Sequence, residues 1–416
     1  MRKGRLPRET QALPTLLVLT STYPRWSGDP EPGFVHELSK RLTNHFRVLV
    51  LGPHALGAHN SEIFDGVEVV RYRYAPEKWE TLVNDGGIVS NLRGNRWKAL
   101  LVPLFLGMQL WSAWRLLRAH RIDVIHAHWL VPQGLVAAIL QWASGYKVPF
   151  VVTSHGADLY ALKGRAFSAL KRHVAASASA VTVVSEAMRS HVLCMGVDAI
   201  DVLLRPMGVD LDGRFVPDPG VRRSQSEILF VGRLVEKKGL KYLLDAMPSI
   251  LEKCPEATLT IVGFGPERQA LDEQTMRLGI EDRVRFLGAV PQHELPALYR
   301  RAAVFVAPFV EASSGDQEGL GLVLVEAIGC GCPVVAGDVP AVWDILGARS
   351  GNRVNPVETE LLVDAVVAVL DDPQSAHGDA SRLRDTLTKK LDWRNVADGY
   401  AQLLLTAAGR DASGVV

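Results

Sequence analysis

The chain has 416 residues, 46 of them basic and 45 acidic, giving a formal net charge of +1. That balance excludes nucleic acid as the main partner, which would require a marked basic excess. With 48 % hydrophobic and 22 % charged residues, the composition has room for two large domains and excludes bulk disorder, collagen-like repeats and a disulfide scaffold.

Residues 1–14 are basic, polar and proline-bearing, and are predicted to form a disordered tail. The apolar run from Leu16 is only a strand long before Ser21-Thr22-Tyr23-Pro24, so no secretory core is expected and the chain is assigned to the cytoplasm. The cysteines Cys194, Cys254, Cys330 and Cys332 form no framework, and Cys330-Gly331-Cys332 lacks the spacing of a zinc site, which agrees with a reducing compartment. Strand-like runs follow at Arg47–Leu51, Val124–His126, Phe150–Thr153, Val181–Val184 and Val202–Leu204. They resume after a gap at Ile228–Val231, Ala257–Val262, Val284–Leu287, Val304–Ala307 and Pro333–Val335. Segments of helical length lie between them, among them Phe34–Asn44, Gly164–Ala176, Leu240–Leu251, Glu267–Leu278 and Gly321–Ile328. Apolar strands without polar alternation belong in parallel sheets covered on both faces by helices.

Two such series predict an α/β protein of two doubly wound, Rossmann-like parallel-sheet domains facing each other across a cleft. The first domain is placed at 15–205 and the second at 227–391. Residues 206–226, rich in proline, glycine and charge, form the hinge, and residues 392–408 a final helix. The longest apolar stretch, Ala99–Met108 continuing through Leu110, Trp111 and Trp114, carries Pro103, Gly107 and Gln109 and falls short of the roughly 20 apolar residues of a bilayer span. Arg93, Arg96 and Lys98 precede it and Arg115, Arg118 and Arg121 follow. Segment 93–121 is therefore either a helix lying on an anionic membrane surface or a domain helix with solvated arginines.

Ligands of open α/β sheets bind beyond the carboxyl ends of strands, and chemistry-bearing residues fall at several of these. Glu318-Gly319-Leu320-Gly321-Leu322 is a glycine-rich turn opening an apolar helix that contains Glu326. Unpaired N–H groups at the helix start suit phosphate, and a carboxylate inside an apolar helix requires a hydrogen-bonding partner. The glutamates are eight residues apart, which at helical rise is about 12 Å, comparable to the reach from a hexose across a diphosphate to a ribose. In Gly232-Arg233-Leu234-Val235-Glu236-Lys237-Lys238-Gly239, after the first strand of the second domain, Arg233 can fork onto phosphate oxygens and Lys238 can add a point charge. Ser154-His155-Gly156-Ala157-Asp158 places His155 at a strand end, and Gly33 stands where the first loop enters a helix.

Three further signals carry less. Gly263-Phe264-Gly265-Pro266-Glu267-Arg268 lacks the third glycine of a dinucleotide fingerprint. Asp210-Leu211-Asp212 lies in the hinge, and His126-Ala127-His128 has no evident third metal ligand. Neither a G-x-S-x-G nor an H-E-x-x-H motif occurs, so hydrolase triads and zincins lack support.

SHGAD (154–158), VTVVSEAM (181–188), VGRLVEKKG (231–239), VGFGPER (262–268) and EGLGLVLVEA (318–327) together resemble glycosyltransferase family 4. The resemblance extends from about Leu16 to Leu405 and implies the GT-B architecture and a retaining transfer from a nucleotide-sugar donor, with no cofactor and no catalytic metal. It assigns His155, Glu318, Arg233 and Lys238 to catalysis. Arg233 and Lys238 would hold the donor diphosphate, and Glu318, with the main chain of Gly319, Leu320, Gly321 and Leu322, the donor sugar. Glu326 would bind the ribose, Gly33 would approach the diphosphate, and the final helix would cross back to the first domain. Three positions depart from the family pattern: Pro32-Gly33 replaces a glycine pair, Leu320 replaces a phenylalanine, and Met207 replaces an asparagine.

The expected enzyme moves a hexosyl unit to a hydroxyl acceptor, with a lipid-linked or cell-surface polysaccharide precursor favoured by the basic flanks of 93–121. A small soluble acceptor and a non-catalytic sugar-nucleotide-binding protein are the alternatives. A nicotinamide oxidoreductase would need the complete fingerprint that is absent, and a phosphorolytic enzyme would need pyridoxal phosphate or a dedicated phosphate pocket, which no motif marks. The donor's base and sugar are not legible.

Overall fold

A computed structural model describes residues 13–29, 33–83, 87–143, 148–198, 201–347 and 351–410. The expected tail, apart from its last two residues, lies outside these. Counted over the described residues, the first lobe holds β1 (Thr15–Leu19), β2 (Arg47–Pro53), β3 (Ser61–Phe64), β4 (Val67–Tyr72), β5 (Val124–His128), β6 (Phe150–Ser154), β7 (Ala180–Val183) and β8 (Val202–Leu204). They form one sheet in the order β3-β4-β2-β1-β5-β6-β7-β8, with registers such as Leu16↔Val48 and Val18↔His126. The second lobe holds β9 (Glu227–Val231), β10 (Thr258–Val262), β11 (Val284–Gly288), β12 (Val304–Ala307), β13 (Val334–Gly337) and β14 (Arg353–Val354), ordered β11-β10-β9-β12-β13-β14.

All pairings are parallel except β3 with β4. Strands β1, β5, β6, β7, β9 and β12 are buried along their whole length, as strands covered by helices on both faces must be. The hairpin β3–β4 and the two-residue β14 escape a search for apolar runs. They lie at or next to sheet edges, and β3 alternates between exposed and half-buried positions.

Strand order reverses at β1, whose neighbours are β2 and β5, and at β9, whose neighbours are β10 and β12. These two switch points are where crevices open in doubly wound sheets. The loops leaving β1, β9 and β12 carry Gly33, Arg233–Lys238 and Glu318, and β5 ends on His128, so all four stand at the carboxyl ends of strands that flank the two switch points.

The chain crosses between the lobes twice. At the first crossing, Met207 packs in the first lobe's core whereas Val209, Leu211 and Phe215 pack in the second's. At the second, the helix Pro373–Leu391 sets Leu387 and Leu391 in the second core, and the helix Trp393–Ala407 then buries Trp393, Val396, Ala397, Tyr400, Ala401 and Leu404 in the first. Asp392 joins the crossings: its carboxylate caps the last helix at Arg394 N (2.9 Å) and accepts from Leu211 N (3.1 Å). Tyr400 Oη donates to the Arg205 carbonyl at 2.9 Å.

The apolar segment proves longer than its sequence suggested. A 3-10 turn at Arg96–Leu100 runs into the helix Leu101–Ala119, giving 24 helical residues, long and apolar enough to cross a membrane by length and composition. Pro103 sits in the first turn of the α-helix, where its missing N–H breaks nothing. One stripe of this helix, Leu101, Phe105, Gln109, Ala113 and Leu117, is buried in the first lobe, with Gln109 Nε2 donating to the Thr20 carbonyl at 3.3 Å. The opposite stripe is open: Trp97, Leu100, Leu104, Trp111, Arg115 and Arg118 are exposed.

Candidate active site

In the second lobe, β9 leads through Arg233 into a 3-10 turn at Glu236–Lys238, which Gly239 ends. The stem of Lys238 lies over Gly232. Its Nζ is 2.7 Å from Glu318 Oε2 and 4.5 Å above the Phe309 ring. Burial pushes the Glu318 carboxyl up, but Lys238, Lys237 and the Gly321 N–H outweigh it and hold the acid at about 2. Glu318 is thus a carboxylate across the physiological range, suited to accepting hydrogen bonds from hydroxyls.

Glu318 does not stand on the helix. The helix runs Leu322–Gly329, and Gly321 before it is left-handed (φ 82°), a conformation that favours glycine. The expected 12 Å helical rise between the two glutamates is therefore corrected: only the part from Leu322 to Glu326 is helical. Glu326 is 7 % exposed and accepts from Tyr299 Oη at 3.0 Å. Burial raises its carboxyl to about 7 against the opposing hydrogen bonds of Tyr299 and Gln292 and the charges of Arg214 and Lys238. The partner that an acid in an apolar helix demands is thus Tyr299, on the helix Leu295–Arg301. Arg214 Nη1 in turn donates to Gln292 Oε1 at 3.0 Å.

The first lobe supplies the opposite wall. His128 Nδ1 and His155 Nε2 share a hydrogen bond at 2.9 Å with the rings stacked, and Phe34 and Trp129 pack on His155 with centroids at 4.8 and 5.0 Å. Burial, aided by repulsion from His126, lowers the His155 imidazole to about 3, so it is neutral across the physiological range. Asp158 fixes the loop by accepting from Leu130 N and Ser154 Oγ, both at 2.7 Å. The lobes touch here: a Cβ on Gly319 would lie 2.5 Å from the His155 carbonyl oxygen, closer than real Cβ contacts come. Leu320, the substitute for the family's phenylalanine, is buried in the first lobe's core cluster, and Leu322 packs against both lobes.

A cavity of about 190 Å³ opens between the lobes, lined among others by Gly33, Phe34, Arg214, Gln292, Leu322 and Glu326. Gly33 and Glu326, from different domains, thus face the same space. Arg233 opens the loop that Lys238 closes, and Glu318–Leu322 forms the turn that enters the Glu326 helix. A second cavity of about 310 Å³ lies at the hinge, by Arg41, Asp210, Asp212, Trp393 and Arg394. Its carboxylates are committed: Asp210 caps Gly213 N at 2.8 Å and Asp212 pairs with Arg394. His126 bonds Thr153 Oγ1 at 2.7 Å, and among the described residues no three His, Cys, Asp or Glu side chains are grouped to hold a metal ion. The Gly263–Arg268 loop packs on the Arg233 loop, with Leu234 N donating to the Phe264 carbonyl at 2.9 Å. Tyr299, Gln292, Arg214, Phe34 and Trp129 carry no motif and come to the site only through the fold.

Two parallel-sheet lobes thus meet over a cationic turn, a carboxylate and a helix start. Residues 215–384 match the family model "Glycosyl transferases group 1" and residues 33–208 the model "Glycosyl transferase 4-like domain". The GDP-mannose-dependent alpha-(1-6)-phosphatidylinositol monomannoside mannosyltransferase of Mycolicibacterium smegmatis is 31 % identical over 302 residues, 70 % of this chain and 78 % of that protein. A glycogen synthase of Mycobacterium tuberculosis is 32 % identical over 301 residues, 70 % of each chain. The structure of sucrose-phosphate synthase from Thermosynechococcus elongatus superposes with a TM-score of 0.74 at 21 % identity, over 94 % of this chain and 98 % of that one. Anabaena HepE in complex with UDP-glucose gives a TM-score of 0.71 at 19 % identity, over 94 % and 99 %. The chain belongs to glycosyltransferase family 4 and has the GT-B fold.

Proposed function

We propose that this glycosyltransferase moves a hexosyl unit, with retention at the anomeric carbon, from a nucleotide-diphosphate sugar to a lipid-linked or cell-surface polysaccharide precursor. The observation that carries the reading is the cavity between the lobes. Glu326 and Gly33 line it from opposite domains, and the turn that enters the Glu326 helix carries Glu318, bound to Lys238 at 2.7 Å. In this reading Glu326 accepts from the ribose hydroxyls and Glu318 from hydroxyls of the donor sugar. Arg233, Lys238 and the N–H groups at the start of the Leu322–Gly329 helix meet the charge that develops on the departing diphosphate. Neutral His155 contacts the sugar, and a donor phosphate oxygen takes the proton of the attacking hydroxyl. The reading calls for no resident metal or cofactor, because the cationic side chains and the helix end supply the electrostatic stabilisation.

The acceptor assignment rests on the helix from Arg96 to Ala119. The stretch 86–122 contains no aspartate or glutamate and six basic residues. The stripe turned away from the lobe combines Trp97, Leu100, Leu104 and Trp111 with Arg115 and Arg118. Apolar and aromatic groups flanked by cations suit the headgroup region of an anionic leaflet, which would hold the enzyme on the inner face of the membrane beside a lipid acceptor. The relative named for action on a phosphatidylinositol monomannoside supports this choice. The test is transfer of labelled sugar from a nucleotide donor into the lipid fraction, with the anomeric configuration of the product read by NMR. An α-linked donor should give an α-linked product and free nucleoside diphosphate. An inverted product, or label appearing only in a soluble acceptor, contradicts the proposal.

A further inference from the structure

The turn Glu236–Lys238 does more than present Lys238. Its three residues hold the loop after β12 in strict succession. Glu236 accepts from Ser313 N at 2.8 Å and from Ser313 Oγ at 2.9 Å. Lys237 Nζ donates to Asp316 Oδ1 at 3.2 Å and to the Gln317 carbonyl at 3.1 Å, while its own carbonyl accepts from Val310 N at 3.0 Å. Lys238 holds Glu318. Three neighbouring residues of one lobe segment thus bind three successive points of another, and only the third connection joins two groups that the proposed function assigns to the donor. A bound donor competes for that third connection, since Lys238 turns to phosphate and Glu318 to sugar hydroxyls. The placement of Glu318 then rests on the first two together with the Gly321 N–H.

Resting on the donor reading above, we propose that Glu236, Lys237 and Asp316 are positioning residues that keep Glu318 aimed at the donor sugar while Lys238 engages the diphosphate. The ion pair of Lys237 with Asp316 is about four-fifths buried on both sides, so it is shielded from the screening that makes exposed pairs weak. The side-chain bonds of Glu236 and Lys237 run to Ser313, Asp316 and the Gln317 carbonyl in the loop after β12, not to Lys238 or Glu326. The device therefore acts on recognition of the sugar and leaves recognition of the nucleoside diphosphate intact.

The experiment compares the affinity for the nucleotide sugar that the wild type binds, from a UDP-, GDP- and ADP-sugar panel, with that for the matching nucleoside diphosphate. Asp316→Asn and, separately, Glu236→Ala should bind the diphosphate as the wild type does and lose at least fivefold in affinity for the nucleotide sugar, with kcat falling alongside. Lys237→Arg, which keeps the charge and the donors, should retain the wild-type ratio, and Lys237→Met should lose it. Unchanged ratios in Asp316→Asn and Glu236→Ala overturn the inference, and so does an equal loss for both ligands, which would mark the loop as general scaffolding. A wild type that binds neither ligand overturns the donor reading itself and the inference with it.

Discussion

Glu326→Gln separates the stability of this protein from its proposed ligand binding, and the two should move in opposite directions. The Glu326 carboxyl is raised from 4.5 to about 7, chiefly by burial. The folded chain therefore holds this proton more tightly than the unfolded chain does. That contribution is fully present below about pH 4.5 and is lost as pH rises through about 7. Its size, from an ionisation displaced over that interval, is about 3 kcal/mol at roughly 1.4 kcal/mol per tenfold. Glutamine stays neutral and still accepts from Tyr299, so the variant should melt with the wild type at pH 5 and at a higher temperature at pH 8.

Nucleotide-sugar affinity should show the reverse. A carboxyl ionising near 7 is roughly one-tenth charged at pH 6 and nine-tenths at pH 8, so wild-type affinity rises about tenfold over that range. The variant should bind weakly and without a pH slope. A nucleotide sugar is the right probe because its doubly esterified pyrophosphate keeps a constant charge there. The neighbouring site groups stay silent as well, with His155 held at about 3 and Glu318 at about 2. Melting curves from pH 5 to pH 8 with calorimetric titration at pH 6 and 8 read both effects. Parallel melting profiles for the two proteins, or the same binding slope in both, would refute the assignment of Glu326 as the ionising ribose ligand.

Two other perturbations address the lobe contact and the membrane. Gly319→Ala places a methyl group 2.5 Å from the His155 carbonyl and should force the lobes apart by several tenths of an ångström. Turnover should fall about 10- to 100-fold, the scale of a small misplacement of reacting groups, while nucleoside diphosphate affinity holds; normal turnover would mean that this contact has no role in closure. Charge reversal at the exposed Arg115 and Arg118, whose guanidinium groups stack on Trp111 and Trp114, should abolish sedimentation with anionic liposomes without affecting the second lobe's nucleotide binding. Undiminished sedimentation of the doubly reversed variant would remove this helix from membrane contact.

The interior strands were legible because strands covered on both faces show as unbroken Val, Ile and Leu runs; β8 and β12 fall at the very limits read from sequence. The β3–β4 hairpin and β14 were not: β3 and β14 are half-exposed edges, and the mostly buried β4 has its apolar run broken by Glu68 and Arg71. The helix Pro373–Leu391 was missed for a related reason. It is mostly polar, with Ala376, Ala380, Leu387 and Leu391 as its buried residues, and its start is set by the Asp372 cap on Ser375 N. At the site, sequence motifs named Lys238, Glu318 and Glu326, and the rarity of a buried unpaired acid demanded a partner for the last. The identity of that partner was not legible, because Tyr299 lies 27 residues upstream on another helix. Nor was the interlobe contact of Gly319 with His155, which exists only once both sheets are folded and joined. The helix start was read to within one residue, Gly321 against Leu322, and only the rise of about 12 Å failed, because it counted the non-helical turn from Glu318 to Gly321 as helix.

The most direct measurement is a calorimetric titration of UDP-, GDP- and ADP-sugars into the wild type and into a variant with both Arg233 and Lys238 changed to alanine. The wild type should bind one of these donors in a one-to-one complex. The variant should lose at least a hundredfold in affinity and turnover and stay folded, with a lower melting temperature because Glu318 loses its partner. Wild-type affinity or full activity in the alanine variant would contradict the claim that these two cations grip the donor by its pyrophosphate.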